Sequence, residues 1–412
     1  MAATALAAGS ANLPTAHAGT AEDVTCDSVT QDVPRQTAQA ASRPLSLLAV
    51  GRAQQLVDAA AGGRRPVRVA VVDSGIADSP LLDVVERVSF TSAPAVLSYH
   101  GTAVAGLVAG SPRPDGGLVG VAPRAQLVDV RVYDEKTPTD AGSVGVSAPL
   151  VARGLRWVAV HAEDLGIGVV NVSLLVPRDD ELEAAVRAVQ RHDVVVVASS
   201  GNRPQDESDP LFDEFAVRAG DEDAAGFVFP AGYPGVVAVN ATSGDPLVDD
   251  RDAVLQNSAT VVAAPTPGAV SVALNGGTCV LPDVATSWSA AEVSGVVALL
   301  RTRFPRETAA QVVARLRATA SATPGSASPL EGAGIVQPVE ALTRPLEPSR
   351  AGELVRNEPA PPDTGAARAP SRPRDLVPEL RRTALWWGLG GGAAAVLALL
   401  LRPLLVRRRA RP

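Results

Sequence analysis

The chain predicts an α/β domain built on a mostly parallel sheet, followed by one C-terminal transmembrane helix. Three observations carry this. Short β-branched runs recur between about residues 46 and 345, helical stretches separate them, and eighteen uncharged residues lie near the end of the chain. Strands alternating with helices of this length imply parallel pairing with helices on both faces. In such sheets the chemistry collects beyond the C-terminal ends of the strands, so functional residues are sought there.

In chain order, residues 66–72 (PVRVAVV) form the first buried strand, and residues 125–132, 168–175, 193–198 and 236–240 repeat the pattern. Residues 148–164 and 181–191 have helical spacing. Asp179 and Asp180 suit the cap and first turn of the second stretch. From residue 346 the texture changes. Eight prolines fall within residues 345–379 without periodicity, the composition of an extended linker that reaches residue 383.

Residues 384–401 (ALWWGLGGGAAAVLALLL) carry no charge and continue past Arg402 to residue 406. That length spans the hydrocarbon of a bilayer. Trp386 and Trp387 stand at one end, where amphipathic rings favour the headgroup layer. Five arginines follow or end the span (402, 407, 408, 409 and 411) and two precede it (381 and 382). The positive-inside rule then places the C-terminus, with its basic tail 407–412, in the cytosol and the remainder outside the cell membrane.

Such an orientation calls for an export signal. Residues 1–18 end in Ala-His-Ala, similar to a cleavage site, but lack a basic start and an apolar core. They are read as a signal remnant. Residues 19–45 form an N-terminal extension, and residues 46–345 the main domain. Cys26 and Cys279 are the only cysteines, and two thiols in an exported chain are read as one disulfide. It would close a loop of about 250 residues, for which the chain-entropy model gives up to about 5 kcal/mol. Two cysteines without a nearby histidine pair do not make a zinc site, and no metal or cofactor is expected.

The composition is ordinary for a globular protein: 46% hydrophobic, 20% charged, net charge −7. It excludes a polytopic membrane protein and a wholly disordered chain. The charge is divided. Seven arginines and no acid lie in residues 381–412, which leaves −14 on residues 1–380. An acidic body argues against nucleic acid as a partner.

Three fragments carry candidate chemistry. Val-Val-Asp73-Ser-Gly ends the first strand, and its aspartate is either a crevice carboxylate or a cap for the next turn. His100-Gly-Thr-Ala-Val-Ala-Gly follows 27 residues later, and its imidazole is either an ordinary satisfied histidine or a base exposed at a helix N-terminus. Ala285-Thr-Ser287-Trp-Ser-Ala-Ala-Glu-Val-Ser-Gly opens a hydrophobic helix. Its serine is either an N-cap or a nucleophile whose oxyanion the helix N-terminus favours.

The order Asp…His…Ser is one arrangement of the serine-protease triad, and the three fragments together resemble the signatures of the subtilisin-like proteases. Residues 194–202, ending in Gly201-Asn202, resemble that family's strand and oxyanion loop. The resemblance covers about 300 residues. It implies a subtilisin-like three-layer sandwich. It also implies Ser287 as nucleophile, His100 as base, Asp73 orienting the imidazole, and Asn202 donating to the oxyanion. Ser173, Leu174 and Leu175 resemble the edge on which a peptide or protein substrate lies as an added strand. The layout of extension, catalytic domain, proline-rich linker, single span and basic tail is similar to the mycosins. That similarity implies partners in a type VII secretion complex.

Four positions depart from the family pattern. Ala285 stands where glycine is usual and would be strained at a positive φ. Ser289 replaces an alanine and Ala291 a proline beside the nucleophile. Leu175 replaces a glycine and should narrow the cleft. His161 and His192 are read as surface residues at helix ends, and acidic residues 206–223 as a solvated loop rather than a calcium site. Two functions follow: a membrane-tethered serine endopeptidase, or a weak or inactive subtilase that stabilises a membrane secretion complex. A nucleotide-binding domain is excluded, since neither G-x-G-x-x-G nor G-x-x-x-x-G-K-[ST] occurs.

Overall fold

The computed structural model describes residues 23–61, 66–138, 142–323, 326–354 and 378–408. The signal remnant at residues 1–18, most of the linker and the last residues of the tail lie outside them. Seven strands form one sheet: β1 (Arg68–Asp73), β2 (Val84–Ser89), β3 (Gln126–Arg131), β4 (Ile167–Val172), β5 (Val195–Ser199), β6 (Val237–Thr242) and β7 (Thr260–Pro265). Their spatial order is β2-β3-β1-β4-β5-β6-β7, and every neighbouring pair is parallel. A separate antiparallel hairpin joins β8 (Ala269–Val272) to β9 (Thr278–Leu281).

The helices are α1 (Arg43–Leu47), α2 (Val50–Ala61), α3 (His100–Ala109), α4 (Ala148–Leu165), α5 (Asp180–Arg191), α6 (Phe212–Phe215), α7 (Thr286–Arg303), α8 (Ala309–Thr319), α9 (Pro338–Thr343) and α10 (Pro378–Arg408). The expected strands and the two expected helices recur within a few residues. Strand β2 escaped the sequence reading because it alternates half-buried and exposed residues at the sheet edge. Its apolar run is too weak to stand out.

The β-branched runs are continuous because side chains on a strand alternate between two covered faces. On β1, Val69 and Val71 join the core shared with α2, α3 and α7. Ala70 and Val72 join the core shared with α4 and α5. Each buried valine or leucine contributes about 1.5–3 kcal/mol of transfer free energy. Helix α5 starts as expected: Asp179 Oδ1 accepts from the Leu182 N–H at 2.8 Å, and Asp180, Glu181 and Glu183 fill the first turn. Helix α7 is different. Every residue from Thr286 to Arg301 is buried, so it runs through the core and has no polar face to show.

The N-terminal segment lies along the hairpin. The Val280 and Thr278 N–H groups donate to the carbonyls of Val24 (3.0 Å) and Gln36 (2.8 Å). Arg113 Nη1 donates to the carbonyls of Ala38 (2.6 Å) and Ala40 (2.7 Å). Cys26 and Cys279 form a disulfide, with Cα atoms 4.9 Å apart. At the other end, packing continues past the expected domain boundary at residue 345. Gln311 Nε2 donates to the Pro348 carbonyl (2.8 Å) and Thr308 Oγ1 to that of Arg350 (3.0 Å), so residues 346–354 dock on the start of α8. The C-terminal unit is α10. Its residues 379–402 are long and apolar enough to cross a membrane, with mean hydropathy 1.8.

Candidate active site

The sheet order places β1 between β3 and β4: the chain runs from β1 to β2 and β3 on one side, then crosses over to β4 on the other. This is the switch point at which open α/β sheets form a crevice. The ends of β1, β4 and β5 and the starts of α3 and α7 meet there.

Asp73 ends β1 and is fully buried. Its Oδ1 accepts from the Ser74 N–H (2.7 Å) and from the Tyr133 hydroxyl (3.1 Å). His100 Nδ1 lies 2.9 Å from Oδ1 and 3.0 Å from Oδ2. A carboxylate only accepts, so Nδ1 carries a proton, and in the neutral ring Nε2 is then the acceptor. Burial raises the Tyr133 phenol well above its usual range, so it stays protonated and donates. Strand and helix can approach this closely because residue 101 is glycine. A Cβ there would lie 2.5 Å from the Gly75 carbonyl oxygen. The Gly101 N–H in turn donates to Ser74 Oγ at 2.9 Å.

Ser287 sits in the first turn of α7, where the helix dipole favours negative charge. It is 8% exposed. Its Oγ donates to the Ser173 carbonyl at 3.2 Å, and the Ser173 hydroxyl lies 2.9 Å from the Ser287 carbonyl. Among the described residues, no hydrogen bond joins Ser287 to His100. The His100 ring instead packs on Trp288, with centroids 5.0 Å apart. Behind Ser173, the buried Asn171 Nδ2 donates to Ser294 Oγ at 3.0 Å. Leu174 is buried, and Leu175 packs half-buried against the α4/α5 core.

Gly201 follows β5 with φ +113°, a conformation open to glycine, and turns the chain into Asn202. Asn202 Oδ1 accepts from the Thr286 N–H (2.8 Å) and the Thr286 hydroxyl (2.9 Å). With Oδ1 taken twice, Nδ2 is the end of the amide left to donate. The structure therefore gathers Asp73, His100, Ser173, Asn202 and Ser287 at one crevice. Ser74, Tyr133, Thr286 and Trp288 stand beside them, unmarked by the sequence reading. Thr286 belonged to the serine motif and could have been found. Tyr133 gave no signal, since only the β3–β1 pairing brings it to Asp73.

The departures resolve in part. Ala285 has φ −146° and ψ 134°, extended backbone that any residue adopts, so the strain expected there is absent. Ser289 Oγ donates to the Thr286 carbonyl at 3.0 Å, within the first turn of an unbroken α7. His161 lies inside α4, not at its end, with Nδ1 2.8 Å from the Trp157 carbonyl and its ring stacked on Trp157. His192 caps α5. Among the described residues, no group of three or more His, Cys, Asp or Glu could hold a metal ion. In the acidic loop, Asp206 and Asp209 accept from the N–H groups of Ser208 (2.9 Å) and Leu211 (3.0 Å).

The family model of the subtilase family matches residues 64–336, which run from before β1 to the residue ahead of Gln337 and α9. The chain belongs to the subtilase family. This subtilase is 32% identical over 375 residues to Mycosin-1 of Mycobacterium tuberculosis, covering 81% of each chain. Among solved structures, it is similar to the MycP3 protease from the type VII (ESX-3) secretion system: 31% identity, TM-score 0.59, 78% of this chain and 91% of that one. It is also similar to MycP1, a serine protease described as an essential component of the type VII (ESX-1) secretion system. There the identity is 27% and the TM-score 0.57, over 78% of this chain and 93% of that one. The resemblance to the mycosins read from the sequence agrees with these relatives.

Proposed function

We propose that this subtilase is a membrane-anchored, extracytoplasmic serine endopeptidase that works with a type VII secretion system. The observation that carries this reading is the buried Asp73 carboxylate against His100 Nδ1, in one crevice with Ser287. A substrate strand on the edge of residues 173–175 offers a backbone N–H to the Ser173 carbonyl. The Ser287 hydroxyl gives up that acceptor and turns to His100 Nε2. Ser287 Oγ then bonds the scissile carbonyl carbon while its proton passes to Nε2. The new oxyanion is held by Asn202 Nδ2 and the Ser287 N–H at the α7 N-terminus. The imidazolium, stabilised by Asp73, returns the proton to the leaving amine. Water then hydrolyses the acyl-enzyme by the same steps in reverse.

The anchor is residues 384–406 of α10, with the body outside and the tail 407–412 in the cytosol. The arginine bias supports that orientation, as does the disulfide, which belongs to an oxidising compartment. The role in secretion rests on similarity to the mycosins. The direct test is labelling of the full chain in detergent with a fluorophosphonate. Labelling in wild type and none in Ser287→Ala supports the endopeptidase; equal labelling of both rejects it.

One observation favours a second reading, a weak or inactive subtilase that stabilises a membrane secretion complex. The Ser287 hydroxyl is buried and held by the Ser173 carbonyl. If Ser287→Ala restores secretion to a deletion strain as fully as wild type does, the structural role suffices.

A further inference from the structure

We propose that Arg203 is a positioning residue for Asn202, acting through its buried pair with Glu222. The proposal rests on the endopeptidase reading above. Arg203 directly follows Asn202, and its side chain turns inward while Asn202 stays exposed. Its Nη2 lies 2.9 and 2.8 Å from the two carboxylate oxygens of Glu222. Nη1 donates to the Phe215 carbonyl (2.7 Å) and Nε to that of Arg251 (2.6 Å). Glu222 Oε1 accepts in addition from the Gln256 N–H at 2.9 Å. The pair is nearly sealed, with side-chain exposures of 6% and 2%.

One guanidinium thus gathers three stretches of chain: the corner at 202–203, the loop from 215 to 222, and residues 251–256. Backbone bonds run alongside. The Arg203 N–H donates to Ala253 (2.8 Å) and the Leu255 N–H to Gly201 (3.1 Å). A buried ion pair is a poor source of stability, because desolvation consumes most of the attraction. What a fully satisfied pair supplies is a single geometry, since any shift leaves a buried charge unpaired. Here the element held in that geometry is the corner that aims the Asn202 amide. An oxyanion donor works only within hydrogen-bond reach of where the charge develops, so a small displacement lowers the chemical step and spares substrate binding.

The test is the saturation kinetics of fluorophosphonate labelling on the full chain in detergent, for wild type, Arg203→Met, Asn202→Ala and the double variant. The expected result is a maximal labelling rate lowered about tenfold or more by Arg203→Met, with the half-saturating concentration unchanged. In the Asn202→Ala background, Arg203→Met should add little. Independent, multiplying losses overturn the proposal, as does a wild-type rate in Arg203→Met. If Arg203→Met does not fold, as read by its thermal transition, Glu222→Gln takes its place in the same cycle under the same criteria. A wild type that labels no more than Ser287→Ala overturns the endopeptidase reading and this proposal together. Loss of coupling with wild-type labelling intact overturns only the role of Arg203.

Discussion

Asn202 and Thr286 are 84 residues apart in the chain, yet Asn202 Oδ1 accepts from both the backbone N–H and the hydroxyl of Thr286. The pairing ties the loop after β5 to the start of α7 and sets which end of the amide faces the crevice. Thr286→Val keeps the volume and removes one of the two donors. It should lower kcat roughly three- to tenfold, the worth of one hydrogen bond, and leave KM unchanged. Thr286→Ser should retain most of the activity. Steady-state kinetics on a cleaved peptide checks both, and a Thr286→Val enzyme with full kcat would show that this donor is dispensable.

Asp73 has a carboxylate that His100 Nδ1 addresses at 2.9 and 3.0 Å. Asp73→Asn preserves the shape, but its amide can donate to Nδ1 and so stabilise the wrong tautomer. The expected loss is about 10⁴-fold in kcat, with a thermal transition close to that of wild type. Retention of more than a tenth of the wild-type kcat would exclude the tautomer role.

Glu292 lies on α7, five residues after Ser287. It is fully buried, and neither carboxylate oxygen finds a partner among the described residues. Burial pushes its carboxyl well above the ordinary range. The folded chain therefore keeps a proton that the unfolded chain releases near pH 4 to 5. Stability from this group is full below that range and is lost as pH rises toward the folded-state value. Glu292→Gln should raise the thermal transition at pH 8, and the two transitions should converge at pH 4. A wild type more stable than Glu292→Gln at pH 8 would mean that the carboxylate has a partner.

The disulfide between Cys26 and Cys279 closes a loop of 253 residues. Replacing both cysteines with serine should cost about 2–5 kcal/mol. It should also open residues 23–42, held to the hairpin by a few hydrogen bonds, to limited proteolysis. Urea unfolding and protease mapping check the two effects. Unchanged values in both would leave packing alone to hold the segment.

Much of the crevice was legible because its chemistry comes in contiguous runs. Asp73, His100, Asn202 and Ser287 each stand at the end of a strand or the start of a helix, where local pattern and chemistry coincide. The capped start of α5 was legible for the same reason. The docking of residues 346–354 on α8 was not, because proline-rich sequence carries no periodicity to mark a contact.

By itself, the sequence determined the parallel α/β class, the apolar C-terminal helix, the pairing of two cysteines and the motifs that hold Asp73, His100, Asn202 and Ser287. Those depend on periodicity, composition and short motifs, which are local. Tertiary structure decided the rest. The order β3-β1-β4 brings Tyr133 to Asp73. The burial of α7 sets Thr286 against Asn202 and turns the Ser287 hydroxyl to Ser173 rather than to His100. Arg203 found Glu222 only when its loop folded back. Each of these contacts joins residues far apart in the chain, so its geometry is set by sheet order and core packing and has no local signature to read.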